Sequence, residues 1–269
     1  MINIFDISHL CGIKISGPDA LRFCQAQFTF DANLLTAAAW QPGAWCDVKG
    51  RCLIVILARF NEGEVELILP NSQKNQLDRL KLFAIGHEVQ FGALSPVSGS
   101  LSVIAGTATL PGPYPRSLQL VSDRASIDQA AIERWRQADF KTPLPWLKPV
   151  TSGQHLPQFL GLEHNQGLCY TKGCYPGQEI VARVHYLGKV KRHLLGFRTE
   201  ATDNPPPDPG TKLLDRNEKD AGSVLDSLVI DGETIGLAVC PVEIGPGTSL
   251  QTQADNFSQP IEMAPPESL

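Results

Sequence analysis

The chain has 269 residues, 28 acidic against 23 basic side chains for a net charge of −5, and seven cysteines, enough length for one large domain or two with a sizeable core. That charge balance excludes a globally basic nucleic-acid binder, so any polyanion must be met by a local patch. The odd cysteine set contains no C-x-x-C pair, which argues against a zinc ribbon, a ferredoxin-type cluster and a disulfide framework, and no metal site is expected.

The first ten residues lack a basic n-region and an apolar h-region, and no later apolar run reaches about 18 residues, so a soluble protein in a reducing, cytoplasmic setting is expected, with no membrane partner. Ile2 to Ile15 contains two short β-like runs, the second ending at Ser16-Gly17-Pro18-Asp19, a helix start with Pro18 in its first turn. This helix is expected to run to about Phe28, burying Leu21, Cys24 and Phe28, with Gln25 and Gln27 solvated. Ala44–Val48, Cys52–Phe60 and Val65–Leu69, rich in Val, Ile and Leu and joined by Lys49-Gly50 and Asn61-Glu62-Gly63, read as an antiparallel meander. Asn71 or Ser72 then caps a helix carrying Leu77, Leu80 and Phe83. Val89–Leu94, Ser102–Thr107 and Ser117–Ser122 read as three more strands, and Ser126-Ile127-Asp128-Gln129 has capping-box spacing before a helix with Ala131, Ile132 and Trp135.

From Lys141 to Pro157 the chain is proline-rich and reads as an extended, ordered loop in which Trp146 is a packing anchor. Beyond Gly188 short strands separated by Pro205–Gly210 and Asp231-Gly232-Glu233 fit a small β-barrel, with the residues from about Met263 expected to be disordered. The fold class is therefore α+β, mainly antiparallel sheet with helices, with room for two split β-α-β units. The expected division is a body over residues 1–188 and a C-terminal barrel over 189–269.

Chemistry concentrates in Thr171-Lys172-Gly173-Cys174-Tyr175-Pro176-Gly177-Gln178-Glu179. Gly173 and Gly177 can take positive φ and Pro176 keeps Tyr175 out of the α region, so a tight turn delivers Cys174 near the start of a helix with Ile180, Val181, Val184 and Leu187 on one face. A thiol beside Lys172 and a helix N-terminus has a lowered pKa and is a candidate nucleophile, redox or metal-contacting group; the alternative is a small buried packing residue. Between Glu179 and Glu200 no acidic residue occurs, while Arg183, Lys189, Lys191, Arg192 and Arg198 do, a strip able to hold a folate polyglutamate tail or RNA phosphate, or simply a solvated face.

Lys172 to Glu179 resembles the K-G-C-[YF]-x-G-Q-E signature of the YgfZ-type folate-binding proteins, relatives of the aminomethyltransferase (T-protein) of the glycine cleavage system. Gly17–Leu21, Gln27–Asp31, Cys46–Arg51, Ser152–Gln158 and Ala221–Val224 are similar to further segments of that family, so the resemblance spans nearly the whole chain. It implies an aminomethyltransferase-like body with a central pocket for tetrahydrofolate or a one-carbon derivative, bound without a covalent link. It also implies a role in iron–sulfur cluster assembly or repair and thereby in tRNA modification, with iron–sulfur client or assembly proteins as partners. Cys174, with Lys172 beside it, matches the residue on which the family depends. The resemblance puts folate contacts at Trp135, Gln178, Glu179 and Arg183, and the second aromatic expected near the start of the chain falls at Leu10. The enzyme relatives carry an Asp pair just after the glycine corresponding to Gly50, where this chain has Leu53-Ile54; Asp47 reads as a turn residue. Three functions compete: a folate-binding iron–sulfur factor with a reactive Cys174, a tetrahydrofolate-dependent one-carbon transferase or demethylase using another acid, and direct tRNA binding through the basic strip.

Overall fold

The computed structural model describes residues 3–110, 112–253 and 258–269. Strands β1 (Phe5–Asp6) and β2 (Leu10–Ser16) lead into helix α1 (Ala20–Gln27), followed by β3 (Gln41–Cys46), β4 (Cys52–Asn61) and β5 (Glu64–Pro70). Helix α2 (Gln76–Leu82), β6 (Gln90–Phe91), β7 (Val97–Ser100), β8 (Thr109–Leu110), β9 (Arg116–Leu120), α3 (Gln129–Lys141) and α4 (Gln178–Leu187) complete the body. Strands β10 (Arg192–Glu200), β11 (Lys212–Leu214), β12 (Asp220–Ile230), β13 (Glu233–Pro241), β14 (Ser249–Gln253) and β15 (Pro260–Ala264) close into a barrel. Two antiparallel sheets make the body, one ordered β3-β4-β5-β2-β6 and one ordered β1-β7-β9-β8.

The apolar run of β4 is buried on both faces, as its unbroken Val/Ile/Leu composition requires. Ile54, Ile56 and Ala58 meet α1 and α2 through Phe23, Cys24, Leu77 and Leu80, while Val55 and Leu57 face the larger core with Trp135 and Trp146. The barrel interior is filled by Leu195, Phe197, Val224, Ala238 and Met263, among others. Its outer face, through Leu225, Leu228, Leu237 and Val239, joins the core of the body. Arg134–Asp231 (2.6 Å), Arg136–Asp226 (2.9 Å) and Lys148–Asp226 (3.0 Å) add ion pairs across this junction.

Several expectations are corrected. The segment from Met263 is ordered: β15 pairs with β10 and β14, and the terminal Leu269 is buried, because an open barrel would leave an unpaired edge. Ser102–Thr107 is not a strand, since Gly106 turns there with φ +76°; the neighbouring strand is β7. The cap of α3 is Asp128, whose carboxylate accepts from the Ala131 amide, rather than Ser126. Gln27 is buried, and the Gln25 side chain accepts from the Ala32 amide at 2.6 Å, so neither is a freely solvated glutamine. Of the first expected strand, Ile2 lies outside the described residues. Among the described residues no helix is long and apolar enough to cross a membrane.

Candidate functional site

The thiol turn is fastened from two sides. Lys172 is buried and its Nζ donates to the carbonyls of Gln25 (2.5 Å), Phe28 (2.5 Å) and Phe30 (2.9 Å), tying the turn to the end of α1. An ammonium has three N–H donors, and all three are occupied. The same group lies 5.0 Å from the centre of the Tyr175 ring. Burial pushes its pKa down to about 8, so it stays protonated at neutral pH. The expectation that Lys172 activates Cys174 is therefore corrected: its donors hold the scaffold. On the other side, Gly177 caps α4 with φ +77°, and an added Cβ would stand 2.4 Å from the Asp47 carbonyl oxygen and from Gly50 Cα. The Asp47 carboxylate accepts from the Lys49 and Arg51 amides (2.8 and 2.9 Å), holding that opposing turn. Between these clamps Cys174 is exposed, against the packing alternative.

Helix α4 departs from the amphipathic expectation. Val181 is its buried side chain; Ile180 and Leu187 face solvent. Gln178 donates to the Lys172 carbonyl at 3.4 Å, whereas Glu179 and Arg183 are exposed on the outside of the helix. The basic strip is also divided. Arg192 pairs with Asp220, Arg198 donates to the Ser268 carbonyl, and His193 contacts the Ile244 carbonyl. His185 stacks on Tyr170 and approaches Glu163 at 3.4 Å. That leaves Arg183, Lys189 and Lys191 without an ion pair among the described residues.

A separate cavity of about 430 Å³ opens where the His9–Leu10, Asn71–Lys74 and Trp146–Lys148 segments meet. The Asn71 amide donates to the His9 carbonyl at 2.9 Å, which joins two of these segments. Both ring nitrogens of His9 are buried without a hydrogen-bond partner. Trp146 is fixed by a buried relay: its indole N–H donates to Asp139 (3.0 Å), Asp139 pairs with Arg116 (2.9 Å), and Arg116 donates to the Trp135 carbonyl (2.8 Å). Burial raises the Asp139 pKa, against the pull of Arg116. Trp135 itself is only 1% exposed, with the Arg116 guanidinium 4.2 Å from its ring centre and Phe5 packed edge-on. It offers no free face and does not line the cavity, whose aromatic residue is Trp146. Leu10 lines the cavity; Gln178, Glu179, Arg183, Lys172 and Cys174 do not. Leu53 and Ile54 are buried, and the Leu53 carbonyl accepts from Gln73 (3.2 Å) and Ser152 (2.7 Å).

Two buried histidines make stability acid-sensitive. Burial first, then Lys148 and Arg136, push His9 down to about 3; burial, Arg192 and Arg51 push His155 down to about 4, from 6.5. Below pH 6.5 the unfolded chain takes up these protons and the folded chain does not, so stability is full above 6.5 and falls as pH drops toward 4. Urea unfolding at pH 5.5 should give about 2–3 kcal/mol less than at pH 7.5. A His9→Asn/His155→Asn double variant should flatten that difference; an unchanged slope contradicts the assignment.

Comparison with known proteins gives the chain's family and its fold. A tRNA-modifying protein YgfZ from Colwellia psychrerythraea is 30% identical over 261 residues, covering 82% of this chain and 80% of the relative. The chain belongs to the YgfZ family. A second YgfZ, from Klebsiella pneumoniae, is 28% identical and covers 93% of this chain and 89% of its own length. No protein-family model matches. Among solved structures, the aminomethyltransferase T of the glycine cleavage system from Bartonella henselae has a TM-score of 0.67 at 18% identity, covering 99% of this chain and 86% of that one. This likeness shows that the YgfZ chain has the aminomethyltransferase fold. Sequence reasoning missed His9, Lys74 and Lys148, and gave Asn71 and Trp146 only structural roles. No local signal marks them, because three distant segments must meet before a cavity exists.

Proposed function

We propose that this YgfZ-family chain is a folate-binding factor that supports tRNA modification by assisting iron–sulfur cluster assembly or repair, with Cys174 as its reactive group. The observation that supports the folate reading is the cavity of about 430 Å³ walled by His9, Asn71, Lys74 and Trp146. Both His9 ring nitrogens are sealed and unpartnered, so a turn of this ring toward the cavity would let its one donor and one acceptor meet the edge of a pterin. Trp146, buried to 5% exposure, closes one side of the cavity, and Lys74 at the wall offers an ammonium to the glutamate carboxylates. Tetrahydrofolate would supply one-carbon units or a redox-active ring; the chain's own residues bind, orient and shield it. The carboxylate of the aminomethyltransferase relatives is replaced by Leu53-Ile54, which favours this reading over one-carbon transfer. Cys174, exposed on a turn clamped at Lys172 and Gly177, is accessible to a sulfur, iron or protein partner. One thiol cannot hold a cluster alone, so any cluster contact needs ligands from elsewhere.

The test is anaerobic calorimetry with tetrahydrofolate, paired with rescue of iron–sulfur enzyme activity in a deletion strain. Binding should weaken tenfold or more in His9→Ala, and Cys174→Ser should fold normally yet fail to rescue. Unaltered affinity in His9→Ala removes the pocket assignment, and full rescue by Cys174→Ser removes the role of the thiol.

A further inference from the structure

Helix α4 is a surface helix held on one side by the buried Val181, by the Gln158 amide that donates to the Val181 carbonyl (2.7 Å) and by the His185–Tyr170 stack. A helix of its length is marginal in water unless an apolar face is packed, yet Val181 is its buried residue. Leu187 is 85% exposed and Ile180 is 37% exposed on the same stripe. The Asp47–Gly50 turn extends this surface: Gly50 lies against Val181 and Ile180, and Val48 at its tip is 81% exposed. Arg183, Lys189 and Lys191, on or just after this helix, are exposed and without an ion pair among the described residues, and Glu179 in its first turn is the exposed acid one helical turn from Arg183. No acidic residue occurs between Glu179 and Glu200.

We propose that the outer face of α4, with the Asp47–Gly50 turn, docks a partner protein whose matching surface is apolar at its centre and acidic at its rim. The proposal stands whether or not the His9 cavity holds folate. Exposed apolar anchors on a helix that carries and is followed by unpaired cations are complementary to such a surface and give both affinity and orientation. RNA would satisfy the cations but offers no counterpart to the exposed aliphatic groups of Leu187 and Val48. A second copy related by a twofold axis would set Arg183, Lys189 and Lys191 against their own kind. Docking here brings the partner to the helix that follows the Cys174 turn, so the thiol is presented beside the bound surface.

Photo-crosslinking from p-benzoylphenylalanine placed at position 187 of the full chain, in the cells that make it, tests this. The cross-linked protein is identified by mass spectrometry, purified, and its affinity for the purified chain measured at two salt concentrations. We expect an acidic protein whose affinity falls tenfold or more with Leu187→Ser and again with Lys189→Glu/Lys191→Glu, the latter restored by charge reversal in the partner. Both variants alter exposed groups, and unchanged melting temperatures will confirm that they fold. Cross-linking only to RNA, only to a second copy or to nothing overturns the proposal, as does a protein whose affinity neither variant alters.

Discussion

Lys172→Met should destabilise the folded chain by about 3 kcal/mol or more, since hydrogen bonds to a charged group contribute about 1.5–3 kcal/mol each and three carbonyls lose their donor. The bonds to Phe28 and Phe30 are buried and that to Gln25 is partly buried, so water is a poor substitute for the lost ammonium. Methionine fills the volume of the stem but supplies no donor, so the loss is one of polar satisfaction rather than packing. Cys174→Ser, at an exposed position a short way along the same turn, should alter stability by less than about 0.5 kcal/mol. Urea denaturation of the two variants separates the lysine's scaffold role from the cysteine's chemical one. A Lys172→Met protein as stable as wild type would show that the three carbonyls find other partners, and would return the lysine to the thiol.

How far the sequence could be read depended on whether a segment's structure is set locally. The Cys52–Phe60 and Val65–Leu69 runs became β4 and β5 because branched apolar side chains buried on both faces fix a strand wherever it lies. The Val-Ser-Gly-Ser run of β7 gives no such signal. It is a strand because β1 and β9 pair with it on either side, and it carries Gly99 because a Cβ there would stand 2.6 Å from Ile7 and 2.8 Å from Trp135. Ser102–Thr107 shows the reverse, with β-favouring residues that yield to the turn at Gly106. At the site, the tight turn was legible from Gly177 and Pro176, while the exposure of Cys174 was not, because a small thiol suits a buried turn as well as an open one. The direction of Lys172 was not, because its carbonyl partners belong to a segment far away in sequence. The stripe of α4 was legible as apolar, but a periodicity cannot say whether the surface it faces belongs to the same chain. Trp146 is buried, as expected of a packing anchor, whereas the sealing of Trp135 by Arg116 is decided by the β9–α3 packing, which no local pattern encodes.

Gly177→Ala should cost about 2–5 kcal/mol, combining a left-handed residue without glycine's freedom and an overpacked contact. The backbone there has φ +77°, and a Cβ would meet the Asp47 carbonyl oxygen, Gly50 Cα and Gly50 N, each at 2.4 Å. These are backbone atoms of a turn already held by the Asp47 carboxylate, so neither partner can rotate away as a side chain could. The turn that carries Cys174 and the first turn of α4 must therefore move together, away from the Asp47–Gly50 turn. Gly63→Ala supplies the control: φ is +83° but nothing lies within 4 Å, so it bears the backbone penalty alone. The difference between the two variants in urea unfolding, expected to be at least about 1 kcal/mol, isolates the steric clamp. Faster proteolysis within residues 171–188 of Gly177→Ala, with the barrel intact, would locate the loss at the thiol turn. Equal destabilisation of the two variants would mean that the Gly50–Gly177 contact is loose enough to admit a methyl group, and that Lys172 alone sets the position of Cys174.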